Sequence, residues 1–307
     1  MIRLGLCCIF REEPIRFRQT TASALQKLSR EDQLNKLSSL CLANLTSLGE
    51  ALEWVIAHGV GAFRVLSPMF PRITHPAVAY TLEELPDFAA LNLQCDKIRA
   101  RRQERDIRLS LHPDQFNVLS SPHYKVVQNT ITELEYQGML AEKIGADVIN
   151  LHAGGVYGDK SAAINRLKEN FERLSRRVQS RLSLENDDRS YTPADLLPVC
   201  TELGIPMVYD VHHHRCLADN LSIDEATLHC IESWKVSGRE PYFHISSPRD
   251  GYDSHTPRPH ADFIFAEDFP RQWLDIDMTV DVEAKAKELA VLKLKKDLGL
   301  PGPLRRR

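Results

Sequence analysis

No segment of this 307-residue sequence approaches the roughly 20 uninterrupted apolar residues that a membrane span needs. The opening MIRLGLCCIFREE carries too short an apolar run for a secretory signal. Neither GxGxxG nor GxxxxGK occurs, so the two common glycine-rich phosphate cradles are missing. Cysteine appears seven times, at Cys7, Cys8, Cys41, Cys95, Cys200, Cys216 and Cys230, but no pair has zinc-finger spacing. The odd number and the adjacent Cys7-Cys8 argue against a disulfide framework and for reduced thiols in a cytoplasmic protein. Excess positive charge is lacking too, since the formal net charge is −3. A polyanionic partner would therefore have to meet local basic residues, or metal ions that invert the field around a site.

What is present is a run of short apolar segments, in a chain that is 43% apolar. Strand candidates fall at 2–8, 61–66, 107–112, 146–152, 181–185, 206–210, 241–247 and 272–277. Helical periodicity lies between them, at 44–58, 92–105, 124–144, 159–179, 192–203, 221–238 and 279–297. Asp159 and Thr192 suit N-caps, and Pro193 suits a first helical turn. Strand and helix alternating about eight times predict an α/β fold, a (β/α)₈ TIM barrel. Residues 1–297 are read as one domain and 298–307 as a flexible basic tail ending in Arg305, Arg306 and Arg307. The stretch 9–43 is expected to loop or form a small helix, and 248–271 is expected to cover a site.

Five strand candidates run straight into a ligand-type side chain: IRLSLH, DVINLH, RLSLE, PMVYD and PYFH. Polar groups at many strand ends favour a barrel mouth over an open sheet, which gathers them near one switch point. The candidate metal ligands are His112, His152, Glu185, Asp210, His213, His244, His260 and Glu283. Asp210 and His213 stand three apart, so one helical turn would bring both to the same side. His212 and His214 would then point elsewhere. His255 competes with His260 in the 248–271 loop, and Glu283 is expected in the first turn of the closing helix. Imidazole and oxygen donors without thiolate suit Mn²⁺, Zn²⁺ or Fe²⁺ better than Mg²⁺. The set exceeds what one ion uses and fits a cluster of roughly two or three divalent ions. Such a cluster could serve phosphodiester hydrolysis, and a metal-dependent sugar isomerase or epimerase is the competing reading.

The strings LSLHPDQFNVLSSP (109–122), NLHAGGVYGDK (150–160), LSLENDD (182–188), YDVHHH (209–214), HISSPR (244–249) and RPHADFI (258–264) carry a resemblance. Across roughly residues 1–295 the chain resembles the ultraviolet damage endonuclease family, UvdE-type barrels related to endonuclease IV. The resemblance implies a metal-dependent DNA repair endonuclease. Such enzymes nick the backbone immediately 5′ to cyclobutane pyrimidine dimers and 6-4 photoproducts and leave a 3′-hydroxyl. A general abasic-site endonuclease and a metal-stabilised DNA-binding module are the alternatives. The family's ligand positions fall on the eight residues above, with manganese as the expected metal, zinc or magnesium as substitutes, and Glu185, Glu283, His112 and Asp210 in catalysis. Its lesion wedge falls on Gln115 and Phe116, where relatives often have tyrosine as the aromatic. Tyr242 stands where relatives carry a lysine. The partner implied is double-stranded DNA with ultraviolet lesions, bound by a monomer without an obligate protein partner and without a membrane. The implied location is the cytoplasm, at the nucleoid of a prokaryote. Arg64, Lys160, Arg249 and Arg258 are candidate phosphate contacts.

Overall fold

The computed structural model describes residues 2–302, so Arg305, Arg306 and Arg307 lie outside the described residues. Eight parallel strands close on themselves in sequence order, β1 pairing with both β2 and β8. They are β1 Arg3–Cys7, β2 Ala62–Val65, β3 Arg108–Leu111, β4 Val148–His152, β5 Leu182–Glu185, β6 Met207–Asp210, β7 Tyr242–Ile245 and β8 Thr279–Val282. Helices α1 Ala22–Leu25, α2 Arg30–Ala57, α3 Phe88–Glu104, α4 Tyr124–Ile144 and α5 Lys160–Phe171 follow the chain around the outside. After them come α6 Arg176–Gln179, α7 Pro193–Leu203, α8 Val211–Cys216, α9 Ile223–Trp234 and α10 Glu288–Asp297. The TIM barrel expected from the alternation is the fold observed.

Local chemistry explains most boundaries. Asp159, Thr192 and Ser222 each accept an amide at the start of their helices, and Pro193 fills the first turn of α7. Gly145 and Gly204 end α4 and α7 at positive φ, where an L side chain would be strained. The strands are buried on both faces, as parallel strands under a helical coat must be.

Four expectations need correction. The segment 272–277 is not the eighth strand, because Arg271–Asp275 forms a 3₁₀ turn that buries Trp273. Thr279–Val282 is the strand, and it includes a buried acid, Asp281, that disguised it as polar. The closing helix therefore starts at Glu288 rather than 279. Helix α2 begins at Arg30, well before 44, because its first turns are exposed and polar while Ser29 caps them. It is also long and apolar enough to cross a membrane by length and composition, contrary to the sequence reading. In the fold Leu37, Leu45, Leu48, Leu52 and Val55 bury its apolar side in the core. At the C-terminal end, Leu298 and Leu300 also pack against that core.

Candidate metal centre and nucleic-acid face

Strand geometry delivers the candidate ligands to one place. His112 follows β3 directly, His152 and Glu185 end β4 and β5, Asp210 ends β6, His244 lies within β7, and Glu283 follows β8. Glu283 thus rides on a strand end, not on the helix predicted from sequence. Asp210 also caps α8, its Oδ1 accepting the His213 amide at 2.8 Å. That turn brings His213 Nδ1 to 3.6 Å from Asp210 Oδ2 and 3.4 Å from Glu185 Oε1. Glu185 is the hub. His112 Nε2 lies 3.0 Å, His152 Nε2 3.8 Å and His244 Nδ1 3.0 Å from its carboxylate oxygens. His244 Nδ1 also lies 3.4 Å from Glu283 Oε1.

Among the described residues, three groups have donor atoms close enough to share an ion: His112–His152–Glu185, His112–His244–Glu283 and Glu185–Asp210–His213. His260 belongs to none of them. Its Nδ1 is 4.0 Å from Glu283 Oε2 and 3.3 Å from Ser246 Oγ, at the edge of the cluster. His255 is exposed in the same loop. His212 and His214 turn away as expected, His212 to the Tyr252 hydroxyl and the Arg258 carbonyl, His214 to Tyr209 and Asp219.

The donor set fits divalent cations. His112 Nδ1 faces the Pro113 carbonyl at 3.0 Å, and His213 Nδ1 faces the Asn186 carbonyl at 3.0 Å. A carbonyl only accepts, so each Nδ1 donates, and in the neutral ring Nε2 keeps its lone pair. In His112 that lone pair points at a carboxylate oxygen, an arrangement that needs a proton or a cation among the atoms. Asp210 Oδ2 and His152 Nδ1 are buried without a hydrogen-bond partner, a costly condition unless another group completes them.

Charge is strongly displaced here. Burial pushes the His152 pKa down to about 4, with opposition from Glu185 and reinforcement from His112 and His213. Burial also works against protonation of His213, yet Asp210 and Glu185 hold its pKa well above the usual imidazole value. For Glu185 burial opposes the carboxylate, but His244, His152, His112 and His213 keep it well below the ordinary range. Neighbouring charges thus prevail over desolvation at His213 and Glu185, and desolvation prevails at His152.

Beneath the ligands lies a layer that the sequence reading missed or left unassigned. Two-residue periodicity sets Ser110, Asn150, Ser183, Tyr242 and Asp281 on the faces of their strands that carry His112, His152, Glu185, His244 and Glu283. Asn150 donates to Glu185 Oε2, and Ser183 Oγ donates to Asn150 Oδ1 at 3.2 Å. Asn186 brackets Asp210, taking its amide at 3.0 Å and donating to its carbonyl at 2.8 Å. A polar residue two positions before a strand-end ligand was the available signal.

The rim is different. Asp114 folds the turn after His112, accepting the Phe116 amide at 3.0 Å. Phe116 is left 77% exposed, and Gln115 is exposed beside it. Both line a cavity of about 780 Å³ that reaches His152 and His213 at the centre. Arg189 and Tyr157 line it too, and neither was singled out from sequence. Gly154 crosses behind this loop at positive φ, where a Cβ would sit 2.6 Å from Ser120 Oγ. Of the four basic candidates, three are at least partly exposed but paired: Lys160 with Asp195, Arg249 with Asp250 and Arg258 with Asp188. Lys160 is the first residue of α5 rather than a loop residue. Arg64 is not at the surface. It is buried inside the barrel against Asp281, Glu283 and His244, so it offers no phosphate contact. Its partners come from distant strands, which no local pattern reveals.

Comparison with known proteins gives a consistent result. A family model described as UV-endonuclease UvdE matches residues 2–301. The UV DNA damage endonuclease of Bacillus velezensis is 34% identical over 290 residues, covering 91% of this chain and 87% of the relative. The crystal structure of SacUVDE superposes with a TM-score of 0.85 at 29% identity, covering 97% of this chain and 98% of that one. Endonuclease IV from Thermus thermophilus shares the fold at a TM-score of 0.58 and 17% identity, with coverage of 82% and 93%.

Proposed function

The chain belongs to the UV-endonuclease UvdE family and is a DNA repair endonuclease, and from that premise we propose that it nicks the backbone immediately 5′ to cyclobutane pyrimidine dimers and 6-4 photoproducts, leaving a 3′-hydroxyl. The observation that carries the reading is the convergence of four imidazoles on Glu185 at 3.0–3.8 Å, next to an exposed Gln115-Phe116 pair. His112, His152, Glu185, Asp210, His213, His244 and Glu283 would hold roughly two or three divalent ions, with His260 at the edge. Manganese suits this mixed imidazole and carboxylate set, and zinc or magnesium are substitutes. Bound divalent ions would supply water of lowered pKa and a counter-charge for the departing oxygen.

The chain's own residues do the rest. Glu185 belongs to two of the candidate groups and would hold an ion in each, and Asn150 fixes the angle of its carboxylate. Asp210 orients His213 through the turn it caps. Gln115 and Phe116 fill the gap left when a dimer is extruded, Phe116 by stacking without the hydroxyl that tyrosine would bring. Lys160, Arg249 and Arg258 exchange their acid partners for DNA phosphates, which positions the duplex without reading its sequence. We further propose a monomeric, single-domain enzyme of the cytoplasm. All seven cysteines are free, in keeping with a reducing compartment.

The test is a nicking assay on duplexes that each carry one defined lesion, with Mn²⁺, Mg²⁺ and Zn²⁺ compared. A metal-dependent nick on the 5′ side of the dimer is expected. A nick at a synthetic abasic site with none beside a dimer would move the assignment to a general abasic-site endonuclease. Lesion binding without turnover in any metal would leave only a binding module.

A further inference from the structure

Arg64 is a cation built into the floor of the centre. It lies on β2 and is 7% exposed. A guanidinium so buried must be met by partners on its donor edges. Its Nε donates to Asp281 Oδ2 at 2.8 Å, one terminal nitrogen lies 2.6 Å from Glu283 Oε1, and the other lies 2.8 Å from His244 Nε2. Asp281 is itself held by the Tyr242 hydroxyl, which meets Ser110 Oγ at 2.9 Å. Gly5 of β1 makes the room, since a Cβ there would collide with Asp281 Oδ1. Strands β1, β2, β3, β7 and β8 together seat this one positive charge.

Two of its partners are candidate metal ligands. Glu283 and His244, with His112, make one of the three ion groups. A guanidinium has donors only, so its contact with His244 occupies the Nε2 lone pair. If His244 instead ligated through Nδ1, its proton would sit on Nε2 and face the guanidinium donor. Either nitrogen therefore sets Arg64 against an ion at this group. Among the described residues, no lysine or arginine pairs with the ligands of the other two groups.

We propose that Arg64 is a resident cation of the centre, one that competes with a divalent ion for the His112–His244–Glu283 group and leaves the other two groups to bind ions tightly. This rests on the metal-centre reading above, and it makes metal number a property of an internal arginine.

Metal counting tests it. Arg64→Gln alone would strand Asp281, so the substitution is paired with Asp281→Asn, which keeps a neutral partner for Tyr242. Purified chains are dialysed against graded Mn²⁺, metal per chain is measured by mass spectrometry, and folding is checked by near-ultraviolet circular dichroism. The wild type should bind two ions tightly and a third only weakly. The double variant should bind the third about tenfold or more tightly, the scale on which groups contacting metal ligands alter affinity. Arg64→Lys keeps a charge beside Asp281 but cannot span Glu283 and His244, so it should fall between the two. Unchanged or reduced third-ion affinity in the folded double variant, or in Arg64→Lys if the double variant does not fold, would overturn the proposal. So would a wild type that takes three ions with equal affinity. A wild type that binds no Mn²⁺ would instead fail the metal-centre reading itself.

Discussion

The floor of the barrel mouth and its rim are built by opposite rules. On the floor, Glu185, Asp210, His244 and Asp281 are almost fully buried, and each is placed by a strand and gripped by residues from other strands. On the rim, Phe116 is 77% exposed, and Lys160, Arg249 and Arg258 hold acid partners at or near the surface. A change on the floor must spread, because each side chain there completes several others and buried charges cannot be left unpaired. A change on the rim stays local, because exposed ion pairs contribute little and water replaces what is lost. The floor is therefore suited to chemistry at fixed distances, and the rim to the proposed grip on a deformed duplex.

The largest break in that comparison should come from Glu185→Gln. It removes one charge from the hub of four imidazoles. Cleavage of an irradiated duplex should fall by about 100-fold or more, with bound metal falling in parallel in the same samples. Cleavage retained with normal metal dependence would show that Glu185 is not the hub.

Next in size is the wedge. Gln115→Ala with Phe116→Ala should lower affinity for dimer-containing duplex by roughly 1–3 kcal/mol per stacked base while affinity for intact duplex holds. Melting temperature should stay constant, since Phe116 is largely exposed. Equal loss on damaged and intact DNA, or a large drop in melting temperature, would assign Phe116 to the floor's kind of residue instead.

The smallest effect belongs to Arg258→Ala. If Arg258 leaves Asp188 for a phosphate, binding should weaken modestly and alike on damaged and intact duplex. The slope of log affinity against log salt should become shallower by about 0.9. An unchanged slope would mean that the Arg258–Asp188 pair persists when DNA binds.

How much of this was legible in the sequence follows the same division. Four of the floor's ligands could be found because each ends or follows a short apolar strand, so chain position dictates spatial position. His112, His152, Glu185 and Asp210 needed only that logic. Arg64 was misread because its burial depends on Asp281, Glu283 and His244, which stand far along the chain. Strand β8 was displaced for a related reason. Asp281 breaks its apolar pattern, while Trp273 gave the preceding 3₁₀ turn the look of a strand. Both errors arise where a buried charge is tolerated only because distant partners meet it. On the rim, Gln115 and Phe116 were identified by resemblance, since exposed residues carry no periodicity that strand or helix imposes. Arg189, which lines the same cavity, had no such marker.

The floor is proposed to be a divalent metal centre organised by Glu185. The most direct test is anomalous scattering from crystals grown with Mn²⁺. Peaks are expected within bonding distance of Glu185, one shared with His112 and His152 and one with Asp210 and His213. Crystals of active enzyme with no peak against Glu185, or with manganese held only elsewhere, would contradict it.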